Sequence, residues 1–200
     1  MVITYNPTDW YWLADDGRIF SSSKQTKIAS DEADYAAWSG MGGVPTAWPR
    51  DIQGNQTDRA LQEVLQPYNI FVTLEAYAAY VRWTSETLSL VINGYVVGTD
   101  DRSKLMIIGA RNAAGNDPQF TTDWVTEDGR LVPIDARQMI DLSDGVQDHI
   151  GSCFAIYSQV KAGIDSGAIT THEQINDAFV NIPLSKKLEN VFKSKPKGKK

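Results

Sequence analysis

Cysteine is almost missing from this 200-residue chain, which holds one, Cys153. No disulfide can form within it, and two histidines beside a single cysteine are too few for the usual structural zinc site. Long apolar runs are missing too. No stretch approaches the roughly 18 to 20 residues that a membrane-spanning helix requires. Met1–Trp12 has no basic segment followed by an apolar run, so no secretory signal is expected and the chain is expected to fold in a cytoplasm. Positive charge is scarce outside one segment. Seven of the 19 lysines and arginines lie between Lys186 and Lys200, beside one acid, Glu189. The other 185 residues carry 12 basic and 24 acidic side chains, a balance of −12 within a net charge of −6. An acidic body does not suit nucleic acid, whose phosphates need a positive face. The lysine-rich segment reads as a solvated, disordered end.

Recognisable catalytic motifs are also lacking. There is no Gly-rich phosphate loop, no Gly-x-Ser-x-Gly elbow and no His-Glu-x-x-His. Three near misses remain. His149 and Cys153 are four residues apart on one expected helix, in reach of a thiolate–imidazole pair, although no orienting third group lies nearby in sequence. The plainer reading makes Cys153 a small buried hydrophobe. Asp100-Asp101 with Glu127-Asp128 has the composition of an acid pair or cation site, yet Asp100 suits a helix cap and Asp128 a turn. Asp15-Asp16 has the same turn explanation.

What is present is a series of turn and cap signals. Asp9–Ala14 and Ile19–Ser23 flank Asp16-Gly17, a strong hairpin signal, and a third short strand is expected near Thr26–Ala29. Ser30 then caps a helix over Asp31–Ser39, and Met41–Pro49 reads as an irregular loop. Thr57 or Asp58 starts a helix over Arg59–Gln66 that Pro67 stops. Leu74–Thr87 is a third helix. Asn93-Gly94 joins two apolar runs in a hairpin, and Thr99 or Asp100 caps a helix over Asp101–Ala114. Gln119–Thr126 and Leu131–Ile134 flank Asp128-Gly129 as a further hairpin. Asp135 caps the longest helix, to about Gly163, whose stripe Met139, Leu142, Val146, Ile150, Cys153, Tyr157, Val160 and Ile164 recurs at three- and four-residue steps. Thr170 or Thr171 caps a last helix, Glu173–Val180, and the two helices are expected to form an antiparallel pair.

The fold class read from this pattern is α+β. A small N-terminal antiparallel β module (residues 1–68) precedes an α+β module with β-hairpins and a long helical pair (69–184), then a basic flexible tail (185–200). The aromatics Trp10, Tyr11, Trp12, Phe20, Trp38 and Trp48 gather in the first module. Along a strand, Trp10 and Trp12 point to one face and Tyr11 to the other, so one face is expected in the core and the other in solvent. These six residues are the candidate partner-binding surface, because exposed aromatic rings serve both protein hot spots and glycan platforms. The alternative reading makes them the core of a module with little else to bury.

The opening Tyr5-Asn-Pro-Thr-Asp-Trp-Tyr-Trp12 is similar to the start of small proteins encoded beside tail-fibre genes of tailed bacteriophages. The second module resembles a phage domain of unassigned function found in the same proteins. The resembling residues are Arg82 and Glu86, Val91-Ile-Asn-Gly94, Thr99-Asp-Asp-Arg-Ser103, Ile108-Gly-Ala110, Trp124–Gly129, Val132, Ile134-Asp-Ala136, His149 and Cys153-Phe154. The likeness covers roughly residues 1–15 and 75–165. It departs from the pattern at 40–57 and in the lysine-rich segment. It implies a non-enzymatic tail-fibre assembly or accessory protein without cofactor, metal or membrane. The expected partner is the fibre protein, with other tail or baseplate proteins behind it, and the oligomer is one matching a trimeric fibre. It would act in the host cytoplasm during assembly. A permanent virion subunit (an adaptor or fibre component) and a glycan-binding receptor tip are the alternatives.

Overall fold

The computed structural model describes residues 4–180. The basic segment expected at 185–200 lies outside the described residues. The fold is α+β, with six helices and three small sheets among the described residues. Two compact units divide it, Met1–Tyr77 and Ala78–Lys200. No described helix is long and apolar enough to cross a membrane.

In the first unit, β1 (Tyr11–Leu13), β2 (Ile19–Ser21) and β3 (Thr26–Ile28) form an antiparallel meander. The β1–β2 turn passes through Gly17 at φ 88°, a left-handed conformation that glycine adopts at little cost. Helix α1 (Ala33–Gly40) is capped by the Glu32 carboxylate, which accepts from the Tyr35 amide. The expected Ser30 cap is displaced by two residues, and the Glu32 carboxyl is held below its usual range by Lys24 and by that amide. The segment expected as irregular loop contains a strand, β4 (Thr46–Ala47), which joins β1 in parallel and completes a sheet of order β3-β2-β1-β4. Two residues give no alternation to read, so local sequence hides such a strand. Helix α2 (Asp58–Leu65) is capped by Thr57, and the chain continues through Pro67 as a 3-10 turn, Gln66–Tyr68. Proline lacks only the N–H that a first helical turn leaves unused, so it starts this turn where the sequence implied a stop.

The second unit takes in most of α3 (Leu74–Glu86), the hairpin β5 (Leu90–Ile92)–β6 (Tyr95–Val97) and α4 (Asp101–Asn116). The hairpin β7 (Thr121–Val125)–β8 (Leu131–Asp135) follows, then α5 (Ala136–Asp165) and α6 (His172–Val180). Asn93 (φ 53°) and Gly94 (φ 81°) make the left-handed pair that an Asn-Gly hairpin needs. Asp135 caps α5 through a reciprocal box with Gln138. The apolar stripe of α5, from Met139 to Val146, packs with Ile92, Val97, Ile107, Ala114 and Ile134 into one core. Gly163 lets Ile169 close the turn into α6, since a Cβ there would lie 2.7 Å from the Ile169 side chain. Ile175 and Phe179 of α6 are buried.

Candidate functional site

The six aromatics expected at a contact surface lie mostly inside the first unit. Trp10, Tyr11, Trp12, Phe20 and Trp48 are all buried, and Trp38 is half-buried. Trp12 is 1% exposed and packs with Phe20, Trp48, Leu61 and Leu65. Tyr11, on the other face of β1, meets Tyr35 and Trp38 of α1, with ring centroids 5.0 and 4.8 Å apart. Both faces of the strand are thus covered, where one was expected to be open. Burial of two of the indoles is made tolerable by partners for their N–H groups: Trp10 donates to Thr46 Oγ1 and Trp48 to the Thr57 carbonyl, each at 2.9 Å. Arg18 lies 4.8 Å over the Trp48 ring and donates to the Gln56 carbonyl. The rings are the core of a small unit with little other apolar material to bury.

A cluster of polar contacts closes around the end of α3. The last carbonyls of a helix have no partner inside it. Here other elements supply them. His149 of α5 lies with Nε2 2.9 Å from the Ser85 carbonyl, and the Thr99 hydroxyl reaches the Glu86 carbonyl (2.8 Å) and the Leu88 carbonyl. Glu86 carries the charge at this point. Its carboxylate takes Arg82 from its own helix and Lys104 from α4, the latter at 2.7 Å. The Arg82 guanidinium lies 4.6 Å over the Phe154 ring and 5.7 Å from that of Tyr157 on α5. One carboxylate and one guanidinium thereby clasp α3, α4 and α5 together.

Cys153 sits inside this clasp, with Sγ 3.6 Å from His149 Nε2. A carbonyl only accepts, so the Ser85 contact requires the proton on Nε2. That nitrogen is then unable to take a proton from the thiol. Burial, reinforced by the Glu86 charge, pushes the thiol up to about 11, and the side chain is fully covered. The arrangement opposes the thiolate that nucleophilic catalysis needs.

The acidic residues are likewise occupied structurally. Asp100 caps α4, accepting from the Arg102 and Ser103 amides and the Ser103 hydroxyl, which holds its carboxyl below the usual range. Asp128 accepts from Thr126 and Arg130 in the β7–β8 turn. Glu127 accepts from Ser89. Among the described residues, no group of three or more His, Cys, Asp or Glu is placed to hold a metal ion.

Beside the cluster runs a groove of about 480 Å³ between α4 and β7. Met106, Trp124 and Val125 supply its apolar lining, and Asp100, Asp123, Glu127 and Arg102 its charge. Val125 stands directly opposite Leu131 on the outer face of the hairpin, and each is 64% exposed. This pair was not singled out from sequence. Its signal is the β7 alternation, which turns Trp124 inward and Val125 outward.

These features define an α+β domain whose polar centre is a helix-end clasp. Residues 72–180 match the family described as "Domain of unknown function (DUF4376)", and the chain belongs to that family. No curated protein matches the chain, and no solved structure matches it.

Proposed function

We propose that the protein is a non-enzymatic assembly or accessory factor of a bacteriophage tail-fibre apparatus that binds the fibre protein. One observation carries the binding part of this reading. The two hairpins of the family domain are separate two-stranded sheets, and each carries apolar side chains outward: Val91 on β5, and Val125 with Leu131 on the second ribbon. Strands that lack a further neighbour offer backbone groups and apolar side chains to a β-rich partner. Fibre proteins present such strands before they trimerise, and covering them limits aggregation. The likeness of Tyr5–Trp12 and of the second module to proteins encoded beside fibre genes supports the choice of partner. The inert placement of Cys153 supports a binding role over a catalytic one.

The test is co-expression with the neighbouring fibre protein, followed by purification and counting by quantitative mass spectrometry in purified virions. Co-purification with fibre and absence from virions is the expected result. A fixed integer ratio in virions would make the protein a permanent tail subunit instead. Failure to bind fibre in either setting refutes the proposal.

A further inference from the structure

We infer that the α4–β7 groove is a docking site for the chain's own segment 186–200. The groove has two properties that select an occupant. Its lining is apolar at Met106, Trp124 and Val125, with Leu131 beside Val125. Its charge is unbalanced: Asp100, Asp123 and Glu127 face one cation, Arg102, and none of the three forms an ion pair among the described residues. An apolar strip beside carboxylates that have no cation partner among the described residues fits a segment that carries lysines together with large apolar side chains. Segment 186–200 has that composition, seven lysines with Leu188, Val191 and Phe192. No other part of the sequence concentrates positive charge in this way, and the rest of the chain is acidic by 12 charges.

Reach permits the contact. The short connection 166–171 folds α6 back along α5. The described chain ends at Val180 on α6, a helix that packs against α5. Arg82 stacks on Tyr157 of α5, and Glu86 bonds Lys104 in the first turns of α4, where the groove begins. From Val180 to Lys193 the chain can span at most about 43 Å at roughly 3.3 Å per residue, comparable with the width of a domain of this size.

The inference shares Val125 and Leu131 with the fibre reading, so a docked segment would leave before fibre binds there; the test uses the isolated full chain, so its failure is distinguishable from a failure of fibre binding. Zero-length carbodiimide cross-linking joins lysines to carboxylates in contact, and peptide mass spectrometry maps the joints. Mixing ordinary and nitrogen-15-labelled protein separates joints within a chain from joints between chains. Lysines 193–200 are expected to join Asp123 and Glu127 within one chain, in preference to Asp117 at the far end of α4, with the joints lost at high salt. The pair of substitutions Val125→Ser and Leu131→Ser keeps every carboxylate and is exposed, so it is expected to fold and yet to lose these joints. Joints spread evenly over exposed carboxylates, joints only between chains, or joints unchanged in the serine variant would each overturn the inference.

Discussion

Glu86→Ala is the substitution that weighs the clasp most directly. The chain contains its own control, because two Arg–Glu pairs share the same four-residue helical spacing. In Arg59–Glu63 the side chains are 89% and 66% exposed, and in Arg82–Glu86 they are 20% and 13% exposed. Exposed pairs are worth about 0–1 kcal/mol, whereas breaking a buried pair costs about 3–5 kcal/mol because a charge is left without its partner. Glu86 is largely but not fully covered, and its loss strands two cations, Arg82 and Lys104. The expected loss is therefore intermediate, about 2 kcal/mol, against under ~0.5 kcal/mol for Glu63→Ala. For a unit of this size that corresponds to a fall of about 8 °C in Tm. Urea unfolding followed by far-UV circular dichroism is the assay, since α4, α5 and α6 hold most of the helical residues. If Glu86→Ala costs no more than Glu63→Ala, burial is not strengthening the clasp and the reasoning fails. A cycle with Lys104→Met isolates the contact between α3 and α4, because the double variant leaves one stranded cation fewer.

Cys153 is expected to resist alkylation of the native protein at pH 8 and to react on unfolding; rapid native labelling would contradict its burial. Its raised folded value means that the native state favours the neutral thiol. The stability this contributes is intact below the ordinary thiol value of 9.0 and is lost as pH rises toward about 11, which urea titrations across that range will read. Asp100 is shifted the other way, so its cap is expected to hold above the ordinary carboxyl value of 3.8 and to fail as pH falls below it. Asp100→Ala is expected to fray the first turn of α4, and faster hydrogen exchange at the start of α4 checks it. Trp12→Ala is expected to cost about 3–5 kcal/mol and to unfold the first unit; a folded variant would return Trp12 to the list of contact residues.

Elements with a local cause were legible in the sequence, and those with a tertiary cause were not. The Asp-Gly and Asn-Gly turns were readable because the positive φ at Gly17, Gly94 and Gly129 is a property of the residue in place. The caps at Asp100 and Asp135 were readable because their side chains bond amides two or three residues away. Strand β4 was not, since its two residues are extended only through pairing with β1, more than thirty positions earlier. The Trp10–Trp12 alternation gave the faces correctly, but the period of two says nothing of whether a helix covers the second face. Here Tyr35 and Trp38 of α1 cover it. Nor was the Glu86–Lys104 bond visible, as it joins residues eighteen apart on separate helices.

Many residues that carry the phage resemblance turn out to have structural work in the family domain. Arg82 and Glu86 build the clasp, Phe154 receives the Arg82 guanidinium, and His149 and Thr99 satisfy the end of α3. Asp100 and Ser103 open α4, while Thr126, Asp128 and Gly129 shape the β7–β8 turn. A signature made of such residues identifies a fold and marks no contact surface, because each side chain is spent on another part of the same chain. Partner choice then rests on side chains that bond nothing within the domain and face outward, and Val125 and Leu131 meet both conditions. Under the proposed function, variants at the clasp are expected to lower stability and fibre binding together. Under the proposed function, the Val125→Ser, Leu131→Ser variant is expected to lower fibre binding while Tm stays within about 4 °C of the parent, since exposed substitutions usually change stability by less than ~0.5 kcal/mol each. Binding retained by that variant would move the contact surface away from the second ribbon.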